Sequence, residues 1–143
     1  MSGDLVVREA RGDELDSLTR LAEVAVPIDV VAAGGRVEPE RVAEQLGGDR
    51  VFVAESAGRR AGYAAVSERG DLLVLDQMVI APTDQGRHVG HTLLDWIEGY
   101  GVSRGLRAVR VPAAGADARA RDFYTRRGYL PAAGELEREL AHV

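Results

Sequence analysis

The sequence contains no cysteine and no lysine. The first absence excludes a disulfide framework, a thiol nucleophile and any zinc site built on cysteine. It fits a reducing compartment, and a cytoplasmic location is the expectation. The second absence leaves arginine as the only strongly basic residue, 18 against 23 acidic groups, for a formal net charge of −5. A nucleic-acid-binding domain usually shows a basic stripe. None is present, so no nucleic-acid partner is expected, and the acidity favours a cationic small molecule. No apolar run approaches the roughly 18 residues of a membrane span. The start, "MSGDLVVREARGDELD", has no basic stretch followed by an apolar one, so neither a signal peptide nor a membrane partner is expected.

What is present is the balance of a globular protein: 143 residues, 45% hydrophobic and 29% charged. That suits one domain over 1–143 with a sizeable core. "DLVVREAR" (4–11) reads as a short strand, and "GDELDSLTRLAEVAV" (12–26) as a helix with leucines at helical spacing and acids in its first turn. Residues 27–40 read as an irregular connection, and "PERVAEQLGG" (39–48) as a short helix. "RVFVAESAGRRAGYAAVSERG" (50–70) is a hairpin turning at "SAGR". "DLLVLDQMVIAP" (71–82) is almost continuously apolar, as befits a strand covered on both faces. A long helix follows, with Val89, Leu93, Ile97 and Tyr100 on one face. Then come a strand at 106–112, a helix over 117–128 closed by Gly128, and a last strand or tail from Tyr129. The class is α/β: a mixed sheet with a central β-α-β unit and helices on both faces.

The stretch "DQGRHVGHTLLDWIEGYG" (84–101) joins the apolar strand to the long helix. The first N–H groups of a helix have no partner inside it, and this helix has no ordinary capping residue. Gly86 and Gly90 open the backbone to an anion, the helix dipole adds positive potential, and Arg87 adds a charge-assisted bond. Together these read as a phosphate or pyrophosphate site. The pattern is neither a Walker A loop nor GxGxxG.

These residues carry a resemblance. "VIAPTDQGRHVGHTLL" is similar to the acyl-CoA-binding motif of the GCN5-related N-acetyltransferases, Q/R-x-x-G-x-G/A after a strand ending V-x-P. Gln85, Gly86, Arg87, Val89 and Gly90 fall in place, while His88 stands where the middle glycine usually is. "ARDFYTRRGY" (120–129) resembles the family's A-x-x-F-Y-x-x-x-G-F/Y motif, and "VFVAESAGRRAGYAAV" its hairpin V-A-x-x-x-G-x-x-x-G. Asp117 stands where the family often has asparagine. The resemblance spans roughly residues 4 to 130 in the family's element order.

The resemblance implies acetyl-CoA as cosubstrate, lying between splayed parallel strands. Its pyrophosphate would meet the N–H groups of Gly86, Arg87, His88, Val89, Gly90 and His91, its pantetheine arm the open backbone near Met78, Val79 and Ile80. Gln85, Asp117 and Tyr124 complete the expected contacts. The acceptor would be an amine, on a small molecule ahead of a protein N-terminus or lysine, attacking the thioester directly. Tyr124 matches the tyrosine at the thiolate and is the expected proton donor. Asp76, the carboxylate within the central strand, is the expected base, an orienter of the ammonium, or the partner of an arginine; burying it needs a reason. Gln77 is expected to point the other way, into the cleft. Residues 23–37 are the expected acceptor surface. No metal is expected. A homodimer, formed through the C-terminal strand, is a further expectation.

Overall fold

In the computed structural model of the chain, which describes residues 5–24, 50–84, 88–112 and 118–140, the alternation at 50–70 becomes a hairpin of β2 (Arg50–Ser56) and β3 (Arg59–Arg69). Ala57 and Gly58 form its turn, with φ of 52° and 77°. Positive φ at both central residues matches the turn's twist to that of the strands, which is why a glycine stands there. β1 (Leu5–Glu9) adds antiparallel to β2, and β4 (Leu72–Ile80) antiparallel to β3. Between β1 and β2 lie a 3-10 turn, Gly12–Glu14, and α1 (Leu15–Val24). The helix expected at 39–48 lies outside the described residues, as does most of the expected acceptor surface.

A 3-10 turn, Pro82–Asp84, leads toward α2 (Val89–Ser103) and β5 (Ala108–Val111), which pairs parallel to β4. This is the central β-α-β unit. α3 (Ala118–Arg126) follows. The segment read as a last strand or tail is instead a second hairpin, β6 (Leu130–Ala132) and β7 (Glu135–Glu139). Its turn repeats the first: Ala133 and Gly134 have φ of 52° and 81°. The sheet order is β1-β2-β3-β4-β5-β7-β6. β7 therefore lies inside the sheet, bonded to β5 on one side and β6 on the other. Its backbone is already paired on both sides, so within this chain it offers no free edge to a further strand. The edge at that side is the three-residue β6, blunted by Pro131.

Seven of the nine β4 residues are buried, as a central strand requires. One sheet face packs Phe52, Leu73, Leu75 and Met78 against Leu93, Leu94 and Ile97 of α2 and against Tyr124 and Tyr129. The other packs Val51, Val53, Tyr63 and Val79 against Leu18 of α1. Each fully buried leucine or isoleucine here contributes about 1.5–3 kcal/mol. Among the described residues no helix is long and apolar enough to cross a membrane.

Candidate active site

The site is opened by an irregularity in β4. Leu75 pairs with Val66 and Gln77 with Ala65, so Asp76 is an extra residue, a β-bulge. Parallel pairing to β5 covers only Leu72, Leu73 and Val74. Beyond Val74 the two strands part, and Met78, Val79 and Ile80 bond to β3 alone. A cleft between parallel strands at their C-terminal ends is the usual ligand position in an open α/β sheet.

The bulge also corrects the expected side-chain directions. Leu75 and Met78 both pack toward α2, three residues apart, so simple alternation fails across Asp76 and Gln77. Gln77 does not line a cleft: it is buried and accepts a 2.5 Å hydrogen bond from the Tyr63 hydroxyl. Asp76 is 7% exposed. One of its carboxylate oxygens, Oδ1, lies 3.7 Å from the exposed Arg69 guanidinium. The other, Oδ2, is buried without a hydrogen-bond partner among the described residues. An unmade hydrogen bond at a buried charged oxygen costs more than the roughly 1–3 kcal/mol of a neutral group.

At the mouth of the cleft, Asp84 is fully buried and held by both terminal nitrogens of Arg59 and by the Thr83 hydroxyl. It ties the β2–β3 turn to the segment that precedes α2. Gln85, Gly86, Arg87 and Asp117 lie outside the described residues. Among the described residues the N-terminus of α2 has no side-chain cap, and its first turn has no acidic residue, so the helix dipole there favours an anion.

His88 shows why the family pattern has a glycine at that position. Its φ of 63° and ψ of 22° are left-handed, costly for most side chains and tolerated better by histidine than by bulkier ones. The His88 ring itself is exposed. His88→Gly is expected to raise stability by about 0.5–1 kcal/mol, read as an increase in Tm. A decrease would show that the ring's packing near His91 (centroids 5.8 Å apart) outweighs the strain.

Gly90 has a different role from the one read in the sequence. A Cβ there would lie 3.0 Å from Phe123 Cζ, 3.4 Å from Ile80 Cδ1 and 3.5 Å from Met78 Cε. The missing side chain faces the apolar junction of β4 and α3, so packing against Phe123 requires a glycine here. Val89 is buried in the same core.

His91 is tied into α3. Arg127 Nη1 lies 3.0 Å from its Nδ1. Arginine only donates, so Nδ1 accepts and the neutral ring carries its proton on Nε2. Burial, then the Arg127 and His88 charges, hold the imidazole below its ordinary value, with Asp95 opposing. Arg127 also bonds Asp95 (2.9 Å) and Glu98 (3.1 Å) of α2. Glu98 accepts further bonds from the Tyr129 hydroxyl (2.7 Å) and Arg138 (3.1 Å). This clasp fixes the end of α3 against the first three turns of α2. The sequence reading missed Arg127, Glu98 and Asp84. The visible signal was His91, Asp95 and Glu98 at helical spacing, opposite an arginine three residues after Tyr124.

Tyr124 is 1% exposed. Its ring meets Phe123 edge-on at 5.2 Å and Tyr129 at 5.5 Å. Burial pushes its phenol well above the ordinary value, with Arg127 opposing, so the group stays protonated at neutral pH. Among the described residues no cluster of three or more His, Asp or Glu could hold a metal ion.

A sequence profile of the Acetyltransferase (GNAT) family matches residues 18–129. That is most of the chain, and the protein belongs to this family. Acetyl transfer is the family's reaction class and acetyl-CoA its acyl donor. The solved structures it resembles agree in fold. The ribosomal-protein-S18-alanine N-acetyltransferase of Escherichia coli superposes with a TM-score of 0.75 at 16% identity, covering 98% of this chain and 96% of that one. Ard1 of Thermoplasma volcanium gives 0.77 at 14% identity over 96% and 99%. The PaiA N-acetyltransferase of Thermoplasma acidophilum, solved in complex with coenzyme A, gives 0.75 at 15% over 97% and 99%. Among curated proteins, none matches the sequence.

Proposed function

We propose that this protein transfers an acetyl group from acetyl-CoA to the primary amine of a small cationic molecule. The observation that carries the reading is the parting of β4 and β5 after Val74, beside the uncapped N-terminus of α2. The two features lie where a thioester arm and a pyrophosphate need strand backbone and helix N–H groups. Met78, Val79 and Ile80 are assigned to the arm. The backbone of Gln85, Gly86, Arg87, His88, Val89, Gly90 and His91 is assigned to the pyrophosphate, with Asp117 as a flanking contact. The net charge of −5 favours a cationic acceptor.

An alkylammonium titrates near the lysine value of about 10.4, so the acceptor must lose a proton before it attacks. Asp76 Oδ2, without a hydrogen-bond partner among the described residues, is the acceptor assigned to that proton, directly or through water. The amine then attacks the thioester carbonyl; as the adduct collapses the C–S bond breaks, Tyr124 donates to the departing thiolate sulfur, and the phenolate takes back the second proton from the adduct nitrogen. With no cysteine in the chain, the acyl group passes without a thiol acyl-enzyme.

Calorimetric titration with acetyl-CoA, with ATP as control, tests the donor site. Micromolar binding of acetyl-CoA and none of ATP is expected. Binding without turnover over a broad panel of amines would instead identify a non-catalytic acyl-CoA-binding module. Asp76→Asn is expected to lower kcat at least tenfold while acetyl-CoA affinity is unchanged. An unchanged kcat, or a fall in kcat that only follows a large loss of Tm, would make Asp76 structural.

A further inference from the structure

The chain is poor in aromatic residues, with two Phe, four Tyr and one Trp. Three of these seven, Phe52, Trp96 and Tyr100, line one open groove of about 480 Å³ between α2 and the strands β1 and β2. Trp96 is 45% exposed. Its ring lies 6.2 Å from Phe52, and Phe52 meets Tyr100 edge-on at 5.2 Å. The groove runs along the C-terminal part of α2: the helix residues that line it, Asp95 to Ser103, lie about 9 to 21 Å beyond Val89 and the anion-facing end of the helix, at ~1.5 Å per residue.

Gly99 forms part of the groove wall, and packing does not explain it. The other helix glycines are crowded: a Cβ on Gly90 would lie 3.0 Å from Phe123, and one on Gly101 2.7 Å from Leu140. A Cβ on Gly99 would meet nothing within 4 Å. A glycine inside a helix costs about 0.5–1 kcal/mol relative to alanine. Here it keeps the space between Trp96 and Tyr100 open.

The charge of the lining selects the occupant. Its charged residues are the carboxylates Glu9 and Asp95, paired with Arg50 and Arg127 respectively. The protein itself shows what the rings accept: the Arg50 guanidinium sits 5.8 Å from the Tyr100 ring centroid and bonds Glu9 at 2.7 Å. That pair is about half exposed, so the bond is weak and exchangeable. Asp95 is 74% exposed beyond its bond to Arg127. Aromatic faces with carboxylates at the rim bind organic cations by cation–π and charge attraction.

We infer that this groove is a second small-molecule site, for an organic cation of the quaternary ammonium or guanidinium class, separate from the acetyl-transfer cleft. Trp96 is the only tryptophan, so its emission reports on the groove alone. Choline is the probe, titrated without acetyl-CoA, and 3,3-dimethyl-1-butanol is its neutral isostere. A saturable change in Trp96 emission at millimolar choline is expected, with the isostere at least fivefold weaker. Gly99→Leu, which fills open space, is expected to weaken choline at least tenfold while acetyl-CoA binding is unchanged. Should that variant fail to fold, Glu9→Gln at the exposed rim decides, with at least a threefold loss expected. An unsaturable response, equal responses to choline and its isostere, or wild-type choline binding by the deciding variant would overturn the inference.

Discussion

Replacing Tyr124 by phenylalanine is expected to lower kcat by about 10²–10⁴, the range a positioned proton donor supplies, while acetyl-CoA affinity stays within about twofold. The substitution removes one oxygen and keeps the ring packed between Phe123 and Tyr129. Its effect on folding is confined to about the 0.5–1.5 kcal/mol of a hydrogen bond. The phenol is suited to the role because burial holds it protonated at neutral pH. The same burial raises the basicity of a thiolate arriving beside it, which offsets part of the phenol's weakened acidity. Measuring kcat and the acetyl-CoA Kd together separates the roles. A fall in kcat alone supports the donor, a normal kcat removes Tyr124 from the chemistry, and a parallel loss of binding makes it a packing residue.

The largest effect on stability is expected at Glu14. This carboxylate is 1% exposed and accepts from Arg8 Nη1 (2.7 Å) and Nη2 (2.9 Å), Arg60 Nε (2.7 Å) and the Arg11 backbone N–H (2.7 Å). It joins β1, the first 3-10 turn and β3 at one point. Glu14→Ala is expected to cost about 3 kcal/mol, the scale of lost charged hydrogen bonds, out of a total of about 5–15 kcal/mol. Arg8 and Arg60 are partly exposed and recover some hydration, which limits the loss. The bond to Arg8, then those to Arg11 and Arg60, hold the carboxyl well below its ordinary value of 4.5, against desolvation. A group with a depressed folded-state value supplies stability that is complete above its unfolded value and is lost as pH falls through the folded one. Wild-type Tm is therefore expected to fall steeply as pH drops below about 4.5. Glu14→Gln should lie lower near neutrality and fall less steeply in acid. Parallel curves would remove Glu14 as the acid-sensitive group.

Much of the architecture was legible because its causes are local. The continuous apolar run 72–80 is what a strand buried on both faces requires, and the Ala-Gly turn at 57–58 is the chemistry a two-residue hairpin requires. The same Ala-Gly pair at 133–134 carried the same information but was passed over, because flanking strands of three and five residues leave almost no alternation to read. The insertion of β7 between β5 and β6 could not be read at all. Strand order follows from which edges meet in space, and pairing across a crossover leaves no local trace.

The candidate site divides the same way. The uncapped start of α2, the glycine-like backbone at His88 and the burial of Tyr124 each follow from residues near in sequence. The bulge does not: Asp76 is extra only because Val66 and Ala65 of β3 leave it no partner, and that one misfit overturned the expected direction of Gln77. The His91–Arg127 bridge joins residues 36 apart, and Arg59 reaches Asp84 over 25. Class, family and the residue types available for chemistry are written in the chain, because composition, turn residues and helix starts act over a few positions. Which edge of β4 stays open, which carboxylate oxygen lacks a partner among the described residues and which glycines face empty space emerge only on folding. Those depend on contacts between strands and helices distant in the chain, where a single inserted residue changes every direction beyond it.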